Sequence, residues 1–355
     1  MQKKQLGNTD IMVSKICLWT MVWGAQNNEQ EAHEQLDYAV AHWINFIDTA
    51  EMYAIPPDPK TCGLTETYVW NWLEKRWNRK DIILATKVTG STKNNGWVAH
   101  VRNGEWITPS GIVTAIEWSL WRLKTDYIDL YQLHWPQRAI QIWWKMNFDE
   151  AMIEEKKEVE ENIFETLKTL EKLQKEGKIR HIGLSNETPW WAMKFLEIAN
   201  KNNFPEIQTI QNAYNLIRRE YDSSLAEFST YEWVGLLSYS PLAWWILTGK
   251  YQNGALPDGC RYTIWWKDRM PQNYNERTLS ATSEYIRLAD SLWISVTQLA
   301  LAWANDRSFV NSNIIGTTSV EQLKECISSA DIILSEDSRK KIDSIYTKFP
   351  NPCTF

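Results

Sequence analysis

Asp48, Tyr53, Lys87 and His134 are the side chains whose types and places could do chemistry together. Asp48 lies in the apolar run FIDTA (46–50), Tyr53 follows five residues later, Lys87 closes IILATK, and His134 closes YIDLYQLH (127–134). Tyrosine alone is a weak acid, with an ordinary pKa near 10. A neighbouring ammonium favours the phenolate and lowers that value, and a carboxylate can hold the ammonium charged and oriented. A histidine beside them could donate a hydrogen bond to a carbonyl oxygen. The four predict a site that protonates an oxygen as hydride reaches the adjacent carbon. Singly they have plainer uses: a strand-end Asp caps a turn, a Lys completes a buried ion pair, and a His or Tyr packs at a rim.

The elements that must position them alternate. Short β-rich runs at 16–20, 46–50, 82–88, 127–134, 179–185, 207–212, 234–240 and 313–318 are separated by helical patterns. In residues 160–178, Ile163, Phe164, Leu167, Leu170 and Leu173 recur at helical spacing, and Gly177 stands where a helix-terminating glycine belongs. Val113, Ile116, Leu120 and Leu123 mark one face of another helix. Strand–helix alternation implies a parallel sheet, and eight units close into a barrel. No GxGxxG or P-loop glycine pattern occurs, which disfavours a doubly wound nucleotide fold. The expectation is α/β, a (β/α)8 TIM barrel forming one domain over 1–355. A short N-terminal β-hairpin turns at Gly7-Asn8, and long loops at 136–160 and 246–280 lie over the C-terminal mouth. In such a barrel the strand ends converge on one face, where barrel enzymes work.

Composition narrows the class. The 355 residues are 44% hydrophobic and 23% charged, with net charge −6, so neither nucleic acid nor an anionic membrane is an expected partner. No apolar stretch reaches the length of a membrane span, and the N-terminus lacks a signal-peptide core. Cys17, Cys62, Cys260, Cys326 and Cys353 are scattered without CxxC spacing, predicting reduced thiols, no metal site and a cytoplasmic protein.

The chain resembles the aldo-keto reductase superfamily, specifically its long bacterial branch near the potassium-channel β-subunits. The resemblance rests on QLGNTDIMVSKICLWTMVWG, INFIDTAEMY, GLTETYVWNWL, IILATKV, TDYIDLYQLHWP, GKIRHIGLSNET, IQNAYNLIRR, LLSYSPLA, LTGKY and IIGTTSVEQLKE, in order along nearly the whole sequence. It implies a catalytic tetrad at Asp48, Tyr53, Lys87 and His134, acting on a small aldehyde or ketone with NADP(H). It further implies a nicotinamide held by Ser185, Asn186 and Gln211 and stacked on Tyr239, near Trp19, Thr20 and Met21. Ser240, Pro241, Leu242, Leu247 and Lys250 would cover the diphosphate, and Gly316, Thr317, Ser319, Gln322 and Glu325 would meet the adenosine. Many relatives carry Arg at Gln322 and Asn at Cys326; losing Arg weakens recognition of a 2′-phosphate, for which Lys250, Arg261 or Lys267 could compensate. The alternative is an NADP(H)-binding, redox-sensing subunit with little turnover. Oligomerisation and the particular substrate stay open. Trp23 and Trp135 are expected either as substrate-pocket walls or as core.

One compositional feature is abnormal: 22 Trp stand against 14 Gly, so Gly is about 4% where about 7% is usual. Trp43 and Trp77 fall where helices should end on glycine. Against the family pattern, Trp19, Trp191, Trp233, Trp244, Trp245 and Trp293 also replace Gly or small residues, as do Trp70, Trp118 and Trp266. Trp23, Trp72, Trp106, Trp135 and Trp303 suit that pattern as aromatics. The reading preferred over a Trp-rich natural variant is a gene that uses UGA for glycine, rendered here as Trp.

Overall fold

Eight parallel strands close on themselves. They are β3 (Ile16–Trp19), β4 (Phe46–Asp48), β5 (Ile83–Val88), β6 (Ile128–Leu133), β7 (Ile179–Ser185), β8 (Ile207–Ala213), β9 (Gly235–Tyr239) and β10 (Val310–Ile315), each paired with the next and β10 with β3. The computed structural model describes residues 1–76, 78–90, 98–104, 107–138, 150, 153–266 and 273–353. Trp77, Trp106, Lys267 and the side chain of Trp266 lie outside the described residues.

The strands form because their apolar residues are buried on both faces. Every residue of β6, IDLYQL, is buried, as expected where barrel packing covers one face and helices the other. Between strands run α1 (Glu29–Ala41), α2 (Leu64–Arg76), α3 (Pro109–Leu123), α4 (Lys156–Lys175), α5 (Pro189–Asn202), the short α6 (Glu220–Ser224) and α7 (Ala226–Tyr231), α8 (Glu276–Ser291) and α9 (Val296–Asn305); α10 (Val320–Ser328) and α11 (Glu336–Lys348) follow the last strand. The stripe predicted on α4 is the buried one, with Ile163, Leu167, Leu170 and Leu173 inward and Phe164 half-buried against Phe204. Asn28–Glu31 and Ser295–Gln298 form reciprocal capping boxes at the starts of α1 and α9, satisfying helix donors that have no partner within the helix.

The predicted hairpin joins β1 (Lys3–Gln5) and β2 (Met12–Ser14) antiparallel. Its turn contains Gly7 at φ +54°, where a Cβ would stand 2.2 Å from the Gln208 carbonyl oxygen. Lys4 Nζ donates to the carbonyls of Asn305, Arg307 and Val310, fastening the hairpin beside the start of β10.

Two element starts fall earlier than expected. The last strand begins three residues earlier, at Val310, where Ser312 is buried and donates to the Ser14 carbonyl; its polarity masks the strand. The 136–160 segment also contains the first turn of α4, whose charged start hides its helical period. Among the described residues no helix is long and apolar enough to cross a membrane.

Candidate active site

The strand ends bring the four predicted residues together. Asp48 ends β4, Lys87 is the penultimate residue of β5, His134 follows β6, and Tyr53 sits on the turn after β4. All are buried, Asp48 and Lys87 completely. Lys87 Nζ donates to Asp48 Oδ2 and, at 2.9 Å, to the Thr49 carbonyl. Its third neighbour is the Tyr53 hydroxyl at 3.4 Å, and His134 Nε2 stands 3.4 Å from the same oxygen. Asp48 Oδ1 accepts from Gln132 Nε2 at 3.1 Å and Gln211 Nε2 at 3.0 Å.

Burial sets the protonation states. It pushes the Tyr53 phenol well above its ordinary range, and the Asp48 charge adds to that. This reverses the sequence expectation that Lys87 would draw it down: desolvation of a phenolate at a site this buried outweighs the cation. Burial, aided by Lys87, holds the His134 pKa well below 6.5, so its ring is neutral at pH 7. Burial also lowers the Lys87 pKa while Asp48 opposes it.

The other predicted residues divide into three groups. Trp19, Met21, Ser240, Pro241, Leu242 and Gly316 line one cleft at the mouth that opens to solvent. Ser185, Asn186, Gln211 and Tyr239 form a network beside the tetrad: Asn186 Nδ2 donates to the His134 carbonyl, the Tyr239 hydroxyl donates to Asn186 Oδ1, and Ser185 Oγ donates to the Gln211 carbonyl. Thr20 bonds the Asp48 carbonyl. The third group makes its contacts within the protein. Leu247 is fully buried, and Lys250 lies over the Trp245 ring at 5.1 Å. Thr317 Oγ1 donates to Gln35, Ser319 caps α10 at the Gln322 amide, the Gln322 side chain accepts from Thr318, and Glu325 accepts from Ser295. Trp23 and Trp135 are buried; Trp135 lies against His134, with ring centroids 4.9 Å apart.

The model for the aldo/keto reductase family matches residues 15–347. The chain belongs to that family. It is 42% identical over 352 residues to the protein tas of Escherichia coli, covering 99% of each chain. It is 32% identical to an aldo-keto reductase of Babesia bovis over 76% of this chain and 98% of that one. A probable voltage-gated potassium channel subunit beta of Arabidopsis thaliana is 27% identical over 94% of this chain and 92% of its own. Membership makes the chain an oxidoreductase of a family that generally uses a nicotinamide cofactor.

One residue of this aldo/keto reductase site was missed from the sequence. Gln132 supports Asp48, and strand alternation carried the signal, since Gln132 stands two residues before His134 and so on the same face. Arg261, considered only as a source of charge, lines the mouth cleft 4.9 Å over the Trp244 ring. Burial pushes its pKa down to about 10.

Proposed function

We propose that this chain reduces an aldehyde or ketone to an alcohol with NADP(H), and that Tyr53 is its general acid. The observation that carries this reading is the Tyr53 hydroxyl held between Lys87 Nζ and His134 Nε2, each at 3.4 Å. A phenol whose pKa is raised stays protonated at pH 7 and keeps its proton until a stronger base forms beside it. An alkoxide oxygen, generated as a carbonyl carbon is reduced, is such a base. Lys87 then faces the phenolate that remains, and charge in a water-poor site is stabilised strongly by a fixed cation. Neutral His134 can donate a hydrogen bond to the carbonyl oxygen without bringing a second positive charge beside Lys87. Asp48, held by Gln132 and Gln211, fixes the ammonium.

A nicotinamide would supply the hydride. The phosphates of the dinucleotide suit the Ser240–Leu242 segment and the basic Arg261, but its nicotinamide ring does not fit beside Trp19. The Trp19 indole packs against both Tyr53 and Tyr239, with centroids 6.3 Å from each, and its N–H donates to the Tyr53 hydroxyl at 3.0 Å. The Asn186 and Gln211 amides are likewise engaged within the protein.

The test is turnover of an aldehyde panel with NADPH, by the chain and by Trp19→Gly. In the more active background, Tyr53→Phe is expected to lower kcat by about 10²-fold or more, the usual scale of acid catalysis, while cofactor affinity holds. A Tyr53→Phe variant within about tenfold of its parent, only about 1.4 kcal/mol of barrier, removes Tyr53 from the role.

A further inference from the structure

Five tryptophans have left-handed backbones: Trp43 (φ +68°), Trp233 (+57°), Trp244 (+58°), Trp245 (+71°) and Trp293 (+59°). Among the described residues they equal the asparagines in this region, Asn103, Asn186, Asn203, Asn253 and Asn351. Asparagine enters it with local help from its short polar side chain; a bulky aromatic has no such compensation, and glycine enters freely.

The local bonding identifies what two of these positions do. Gly177 ends α4 at φ +75°: its N–H donates to the Gln174 carbonyl, and the next N–H, of Lys178, reaches back to Leu173. Trp43 ends α1 with the same pair, Trp43 N–H to Val40 and Ile44 N–H to Ala39. Trp293 ends α8 likewise, Trp293 N–H to Asp290 and Ile294 N–H to Ala289. This is the double-bonded helix ending whose left-handed residue is usually glycine. At three of the five the indole brings no compensating burial: Trp43, Trp233 and Trp293 are 72%, 67% and 95% exposed, whereas Trp244 is buried. Trp70, Trp118 and Trp191 sit inside α2, α3 and α5, where the backbone suits tryptophan and gives no such signal. Other tryptophans are built in by contact: Trp72 Nε1 donates to Asp37 at 2.7 Å, and Trp303 stacks on Tyr214 at 5.0 Å.

We propose that the chain made by its own organism carries glycine at positions 43, 233, 244, 245 and 293, and also at 19, through a genetic code that reads UGA as glycine. Glycine at 19 removes the indole that packs against Tyr53 and Tyr239 and frees the Tyr53 hydroxyl from its N–H, leaving a slot for a planar ring. The part concerning position 19 rests on the oxidoreductase reading above; the helix-end part stands on backbone geometry alone.

Three measurements test it. Peptide mass spectrometry of the protein isolated from its organism is expected to find glycine at 43, 233 and 293 and tryptophan at 72 and 303, with TGA and TGG codons respectively; tryptophan at 43 and 293 overturns the proposal. In the recombinant chain, Trp43→Gly/Trp233→Gly/Trp293→Gly is expected to raise Tm by roughly 5–10 °C. The matching triple alanine variant, equally free of indole but still strained, should gain less than half of that; equal gains overturn the backbone argument. Adding Trp19→Gly is expected to tighten NADPH binding at least about tenfold, read by fluorescence titration. Glycine found at the helix ends with no gain in binding from Trp19→Gly would refute the slot, and with it the nicotinamide reading, leaving the helix-end assignment in place.

Discussion

Replacing Lys87 by Met exposes what the buried pair at the centre of the barrel contributes. The methionine matches the lysine stem but brings no charge. Asp48 then keeps two amide donors on Oδ1, from Gln132 and Gln211, and loses the Lys87 partner of Oδ2. Since Asp48 and Lys87 are both wholly buried, breaking the pair from one side should cost about 3–5 kcal/mol.

The assay is urea unfolding at several pH values between 5 and 8, for Lys87→Met, Asp48→Asn and the double variant. The double variant should be more stable than the two single costs predict, because it leaves no uncompensated charge. A Lys87→Met deficit below about 1 kcal/mol at every pH, or strict additivity in the double variant, refutes the reasoning. The cycle reads stability alone, so it separates the pair's structural role from any loss of turnover.

The remaining predictions are independent of that pair. NADPH should bind more tightly than NADH in fluorescence titration of the Trp19→Gly variant; equal affinities would show that Arg261 and Lys250 do not replace the arginine absent at Gln322. Burial outweighs the Arg138 ion pair and pushes Glu187 up to about 7, so the stability contribution of this group is greatest below pH 4.5 and is lost as pH rises through about 7. Glu187→Gln should remove that slope, gaining on its parent by up to about 3 kcal/mol between pH 4.5 and 7; parallel stability–pH curves would count against it.

What was legible in the sequence depended on how each signal is encoded. Strand–helix alternation specified the barrel, and the barrel specified that Asp48, Lys87 and His134 would meet, because parallel strands deliver their ends to one face. Signals carried by polarity were harder. The first half of β10 reads as a loop although its Ser312 is bonded inside the barrel, and α6 and α7 are too short for a hydrophobic period to emerge. The direction of the Tyr53 shift was beyond the sequence for a different reason: the effect of Lys87 follows from proximity, but the opposing desolvation depends on how completely the mouth closes over the hydroxyl. The tryptophans show the sharpest division. Helix periodicity alone marked Trp43, since a C-cap position is fixed by where the apolar stripe ends. Trp293 stood only as a departure from the family pattern until its two backbone bonds matched those of Gly177. Trp19 could be placed at a strand end from sequence, but whether its indole leaves the mouth or enters it is a rotamer choice. It enters, and its N–H takes the one hydroxyl on which the proposed chemistry depends.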